Sequence, residues 1–284
     1  MTQVKKAKKG KKVTKTVTTT TTTTTFFEGL KTRIAILLDS SGSMQSISRE
    51  AVDMFNEQVR AIRKGAAEVD TKVSLVTFAS EANAPLFFNT DVSNLKELDY
   101  DQYNPNGGTA MYDAIGTTID ALKLLPEANE ENTSFLMVII SDGQENASKK
   151  FNSAAIAERV KSLQDGKRWT FSYLGANQDL TKVSQQLGFF AGNMMSFNSS
   201  SAGVNTASVA NSGSTANYMT SRSLGVKGLT NFYDPNSGAG GGGQGGADSQ
   251  GSGSGSGVVS SGTVVVGKDG TTSGTIALTT TPNK

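Results

Sequence analysis

The run Ile34-Ala35-Ile36-Leu37-Leu38 passes directly into Asp39-Ser40-Ser41-Gly42-Ser43. Five apolar residues without a polar interruption predict a strand buried on both faces, the kind found inside parallel sheets. Such a strand needs cover on both sides, which constrains the fold to layers of helix and sheet. In open sheets of this sort ligands collect at the carboxyl edge of the strands. Here that edge carries Asp39, Ser41 and Ser43 in the pattern D-x-S-x-S, with Gly42 allowing a tight turn. One carboxylate and two hydroxyls converging on a point suit a hard divalent cation that keeps part of its water. The same residue types also make an ordinary polar turn, so the remainder of the chain has to decide.

Downstream, Ile47, Val52, Phe55, Val59 and Ile62 fall at helical spacing and predict a helix over 47–64. Lys72 to Ala79 alternates apolar and polar residues as a strand does, and Leu86-Phe87-Phe88 is a short antiparallel edge candidate. Gly107-Gly108 then delivers Thr109 to the start of a helix expected to run to about Leu125. A second buried strand, Ser134 to Ile140, ends in Ser141-Asp142-Gly143. The two most apolar strands therefore each end in an aspartate, and a threonine enters from a loop between them. Beyond these, the patterns predict a helix over 152–163, a strand over 169–174, a helix over 179–187 with Asp179 as N-cap, and an edge strand over 194–197. The alternation implies an α/β fold: a doubly wound, mostly parallel sheet with one antiparallel edge strand and helices on both faces.

Composition narrows the function classes. The 284 residues contain no histidine and no cysteine, which excludes disulfides, thiolate or imidazole zinc sites, and Ser-His-Asp catalysis. Net charge is +2, yet Lys5, Lys6, Lys8, Lys9, Lys11, Lys12 and Lys15 crowd the first fifteen residues, leaving the remainder mildly acidic. Residues 1–25 read as a disordered or loosely extended Lys/Thr-rich arm. Its lysines are either a solubilising tail or a tether to nucleic acid or another acidic surface. The domain is expected over 26–200, a weakly structured extension over 201–233, and a Gly/Ser-rich linker over 234–257. Two β-prone runs in 258–284 flank Lys268-Asp269-Gly270, a candidate hairpin tail. No apolar run reaches the ~18 residues of a membrane span, and the basic start leads into threonines rather than a signal-peptide core. The expected location is the cytoplasm or the body of a larger assembly.

With three loops in hand, a family comparison becomes specific. D-x-S-x-S at Asp39, Ser41 and Ser43, Gly-Gly-Thr at Thr109, and Ser-Asp-Gly at Asp142 resemble, in order and spacing, the metal-ion-dependent adhesion site of von Willebrand factor A domains. The resemblance covers roughly residues 30–200. The flanks and the stretch Tyr173-Leu174-Gly175-Ala176-Asn177-Gln178-Asp179 are similar to small bacterial and bacteriophage members. It implies a metal set of Asp39, Ser41, Ser43, Thr109 and Asp142, with at least one carboxylate acting through water. It also implies Mg²⁺, or Mn²⁺, as the ion, and a protein partner whose Glu or Asp completes the shell. Asp113 lies one turn into the helix after Thr109 and reads as structural. Glu145 either approaches the site or remains a solvated loop charge. Neither belongs to the ligand set.

Catalysis is not expected. The serines lack a base, Leu38-Asp39-Ser40-Ser41-Gly42 is no G-x-S-x-G elbow, and Asp39 has no second acid in its loop for phosphoryl transfer. There is no P-loop, so any ATPase served by this chain would be another protein. The alternative to a metal-dependent binder is a structural component of a virion or surface assembly, held through its tails.

Overall fold

In the computed structural model of the chain, residues 29–66 and 69–234 are described in full, together with the backbone of four flanking strands. Two of these, Lys12–Lys15 (β1) and Thr24–Phe27 (β2), pair antiparallel with Val13 opposite Phe26. These described residues of the expected loose arm are thus strand, and the rest of 1–25 lies outside the described residues. The main sheet comprises Lys31–Asp39 (β3), Asp70–Phe78 (β4), Phe87–Asp91 (β5), Thr133–Ser141 (β6), Trp169–Ala176 (β7) and Met194–Phe197 (β8). Their order is β5-β4-β3-β6-β7-β8, with every neighbour parallel except β5, which runs antiparallel at one edge.

The period-2 alternation of β3 explains both layers. Ile36 sits in register between Leu75 and Val138. It faces, with Ile34 and Leu38, a cluster containing Phe55, Val59 and Ile62 of helix α1 (Ser48–Gly65). Ala35 and Leu37 face the other way, toward Ile115 and Ile119 of α2 (Met111–Lys123) and Ile156 and Val160 of α3 (Ser153–Asp165). A short helix α4, Leu180–Leu187, completes that layer, capped by Asp179, which accepts from the Thr181 and Lys182 N–H groups. The chain leaves β3 toward β4 but leaves β6 toward β7, so a crevice opens where the winding reverses, between the carboxyl ends of β3 and β6.

One expectation is corrected. Within the extension expected to be weakly structured, with at most a poorly patterned closing helix over 207–222, Ser201–Ser223 form a 23-residue helix, α5, packed on α1. Its buried positions, Val204, Ala207, Asn211, Thr215, Tyr218 and Arg222, keep a helical stripe, but small and polar residues fill it. The contact with α1 is accordingly apolar at Val204, Ala207, Tyr218 and Met219 and hydrogen-bonded between them. Asn211 Nδ2 donates to Gln58 Oε1 (2.6 Å), and Gln58 Nε2 donates to Thr215 Oγ1 (2.6 Å). The network continues through Tyr233, whose hydroxyl donates to Asn211 Oδ1 and accepts from Ser172 Oγ. Phe232 is wholly buried and its N–H donates to Asn193 Oδ1, so the packed unit continues past residue 200 to Tyr233.

The expected linker after residue 234 lies outside the described residues. In the tail, Gly262–Val266 (β9) and Thr272–Ile276 (β10) form a two-stranded antiparallel sheet of their own. Among the described residues no helix is long and apolar enough to cross a membrane.

Candidate metal centre

Three loops meet at the crevice. The first leaves β3 at Asp39 and turns through a short 3-10 segment, Gly42–Ile47, into α1. The second brings Thr109 to the start of α2, and the third leaves β6 at Asp142. Backbone hydrogen bonds lock the first two together, since Gly42 N–H donates to the Gly107 carbonyl (3.0 Å) and Asn106 N–H to the Ser40 carbonyl (2.7 Å). The third is tied to the second by Asn146, which accepts from Thr109 N–H (2.9 Å) and donates from its own N–H to the Thr109 carbonyl (3.0 Å).

All five residues picked out by the sequence pattern come together here. Asp39 Oδ1 accepts from Ser41 N–H (2.7 Å), Ser41 Oγ lies 3.1 Å from Ser43 Oγ, and Ser43 Oγ donates to Asp142 Oδ1 (2.6 Å). Thr109 joins them through Gly143: a methyl group there would lie 2.7 Å from Thr109 Oγ1 and 3.4 Å from Asp39 Oδ2. Asp39, Ser41 and Thr109 are buried, whereas Ser43 is exposed and Asp142 half-buried, so the cluster opens to solvent on one side.

The electrostatics are unbalanced in one direction. Burial pushes the Asp39 carboxyl above its ordinary range despite hydrogen bonds from Ser141 and Ser41, and Asp142 adds like-charge repulsion. Burial raises Asp142 as well. Among the described residues no lysine or arginine forms an ion pair with either carboxylate. Nor do three acidic side chains converge among the described residues, so an ion here would rely on two carboxylates and hydroxyls. That donor set, all oxygen and low in charge, fits a hard divalent cation with coordination positions to spare.

Several supporting residues carry little or no sequence signal. Ser141 Oγ donates to Asp39 Oδ2 (2.5 Å), and the buried Tyr103 hydroxyl donates to the Asp39 carbonyl. Gln178 Nε2 donates to the Asp142 carbonyl (2.8 Å). Glu145 is neither a metal neighbour nor a free loop charge. It accepts from the N–H groups of Tyr112, Ala147 and Ser148 and from Ser148 Oγ, fastening its loop to the first turn of α2. Asp113 has the structural use its position implies. Burial would raise its carboxyl, but the N–H groups of Lys149, Phe151 and Lys150 outweigh that and hold it below the ordinary range.

A family model for the von Willebrand factor type A domain matches residues 34–210. No curated protein matches the sequence significantly. Among solved structures, the open conformation of the pilus adhesin SpaC from Lactobacillus rhamnosus GG aligns with a TM-score of 0.51 at 12% identity, covering 73% of this chain and 34% of that one. A von Willebrand factor type A structure from Catenulispora acidiphila aligns at 0.46 and 15% identity, covering 70% and 45%. Proximal thread matrix protein 1 from the mussel byssus, with a zinc-occupied MIDAS motif, aligns at 0.43 and 17% identity, covering 64% and 44%. This chain spans less than half the length of each. At these identities the likeness concerns the fold. Members of the matched family commonly bind a metal ion at such a site and mediate protein interactions rather than catalysis. With the family model matching more than half of its length, the chain belongs to the von Willebrand factor type A domain family.

Proposed function

We propose that this domain is a divalent-metal-dependent protein binder, not an enzyme. Asp39, Ser41, Ser43, Thr109 and Asp142 hold Mg²⁺, or Mn²⁺ in its place, and a Glu or Asp of a partner protein completes the shell. The observation that carries this reading is the pair of partly or wholly buried carboxylates, both raised, with no lysine or arginine paired to either among the described residues. A divalent ion relieves that imbalance and still accepts an external carboxylate at the exposed Ser43–Asp142 side. Asp39 and the hydroxyls would hold the ion, and the lack of a side chain at Gly143 leaves the space beside Thr109 Oγ1 and Asp39 Oδ2 open.

Water-proton relaxation tests the open position. Mn²⁺ bound to the protein should enhance relaxation, and a glutamate peptide, Ac-Gly-Glu-Gly-NH₂, should lower that enhancement by displacing water. The glutamine peptide should leave it unchanged. Equal effects of the two peptides, or none from either, would contradict the reading.

Gly143→Ala is expected to weaken Mn²⁺ affinity by at least about tenfold, the equivalent of 1.4 kcal/mol, because its methyl group would press on Thr109 Oγ1 at 2.7 Å. The same overpacking against the buried Thr109 should cost fold stability only modestly, about 1–3 kcal/mol. Calorimetry with Mn²⁺ and thermal melts of the metal-free variant check the two halves.

A further inference from the structure

Of the seven arginines in the chain, six donate hydrogen bonds to carboxylates or main-chain carbonyls. Arg49 is the exception. It is exposed in the first turn of α1, and among the described residues it forms no hydrogen bond and no ion pair. Its guanidinium lies over the Tyr100 ring, 5.1 Å from the centroid. The two acids nearest to it along the helix are engaged elsewhere. Asp53 Oδ1 accepts from the Tyr100 hydroxyl (2.7 Å), and Glu50 Oε1 accepts from Ser201 Oγ (2.7 Å). The first of these bonds also holds the ring on which the guanidinium rests. A stacked guanidinium keeps its planar fork of N–H donors free and loses little rotamer freedom on binding, which suits a carboxylate.

Arg49 stands at the edge of the metal centre. Ser43 precedes it by six residues, through the 3-10 segment and the start of α1, about 11 Å along the axis. Its platform is tied to the same edge, since Tyr103, three residues after Tyr100, donates to the Asp39 carbonyl. An extended peptide rises about 3.3 Å per residue, so three or four residues span the distance from metal to guanidinium. Glu50 and Asp53 stand close by and offset the positive charge. Arg49 therefore acts through contact geometry rather than long-range attraction.

We propose that Arg49 is a second anchor for the partner, taking an acidic side chain three or four residues from the one that completes the metal shell. The inference rests on the metal-dependent reading above. The occupant is an extended diacidic segment of a protein, with one carboxylate on the ion and one on the guanidinium fork.

The test uses the full chain with Mn²⁺ and peptides carrying two glutamates, the glycine spacer between them lengthened one residue at a time. Reference peptides replace either glutamate by glutamine. Displacement of water from bound Mn²⁺, read by proton relaxation, gives the affinity of each. Two equivalent carboxylates competing for one ion account for a doubling by statistics alone. With two or three glycines between the glutamates, the wild type should bind a further threefold to fivefold more tightly, about the upper end of what an exposed ion pair supplies. Arg49→Gln should leave only the doubling at every spacing. Lys123→Gln removes the same charge from an exposed position at the far end of α2, and should leave the full gain. Mn²⁺ calorimetry and a thermal melt of Arg49→Gln check that its metal site and fold are intact. A wild-type gain no larger than the doubling, or equal at every spacing, would overturn the second anchor. So would a gain that survives in Arg49→Gln or is lost equally in Lys123→Gln. No displacement of water by any glutamate peptide would instead overturn the metal-dependent reading and the second anchor with it.

Discussion

Asp39→Asn is expected to raise the melting temperature of the metal-free protein and to abolish the further rise produced by Mg²⁺ or Mn²⁺. The first half follows from burial. Asp39 is wholly buried, its pKa is raised by desolvation, and its nearest ionised neighbour is another carboxylate. A carboxyl with a higher pKa in the fold than in the unfolded chain holds its proton more tightly when folded, so ionising it costs stability. The cost is absent below the unfolded value and fully present above the folded one. Metal-free wild type should therefore gain stability from this group as pH falls from neutral into the carboxylate range, and the asparagine variant should lack that gain. Asparagine keeps the shape, its Oδ1 can still accept from Ser41 N–H, and its Nδ2 can donate to Ser141 Oγ.

The second half follows from mass action. An ion present at 100 times its Kd stabilises the fold by about 2.7 kcal/mol. For a domain of this size that is about 5–10 °C, and the variant should show none of it. A metal-free Asp39→Asn protein that melts well below wild type would contradict the electrostatic account of the site.

Arg222→Met is expected to cost about 3–5 kcal/mol of stability and to leave metal affinity unchanged. Arg222 is wholly buried, and its guanidinium donates to Thr32 Oγ1 (2.9 Å) and to the carbonyls of Val226 (2.6 Å), Lys31 (3.0 Å) and Asn132 (3.2 Å). It therefore pins the end of α5 to the amino ends of β3 and β6. Methionine fills much of the volume but strands these acceptors, at about 1–3 kcal/mol for each one left without water or another partner. Relaxation around the site and water entry keep the total below the simple sum. The metal cluster lies at the other end of β3, nine residues long, about 26 Å away at the usual rise of a strand. Denaturant melts and Mn²⁺ titration of the same variant separate the two claims. A loss under about 1 kcal/mol would show that the acceptors are readily satisfied otherwise.

The convergence of Asp39, Ser41, Ser43, Thr109 and Asp142 was legible in the sequence because each part of the cluster is local. An apolar strand must end somewhere, and the residues placed at its carboxyl end are its immediate successors; Asp39, Ser41, Ser43 and Asp142 follow from two strand ends alone. Thr109 is readable because a Gly-Gly pair precedes a helix start. The mostly parallel sheet and its two helical layers follow from similarly local patterns, and the two most apolar strands, β3 and β6, lie side by side in the middle of it.

What was not legible depends on partners distant in sequence. Helix α5 keeps its helical stripe, but Asn211, Ser214 and Thr215 stand where apolar residues would give a pattern. Asn211 and Thr215 can be buried because Gln58 and Tyr233, far along the chain, satisfy them. Tyr103 and Gln178 brace the site through single hydrogen bonds across 64 and 36 residues; nothing near Tyr103 marks it, and the family-like stretch around Gln178 carries no sign of that contact. Glu145 carried a weak local signal, since it stands three residues after Asp142. Its role as an acceptor for the first turn of α2 appears only once β6 and α2 are side by side.

Calorimetric titration of Mn²⁺ into the wild-type protein and into Asp142→Ala tests the central claim most directly. The account predicts one saturable site per chain in the wild type, with Mg²⁺ competing for it, and no saturable binding in the variant at the same ion concentrations. Wild-type protein that takes up neither ion, or a variant that binds as tightly as the wild type, would contradict it.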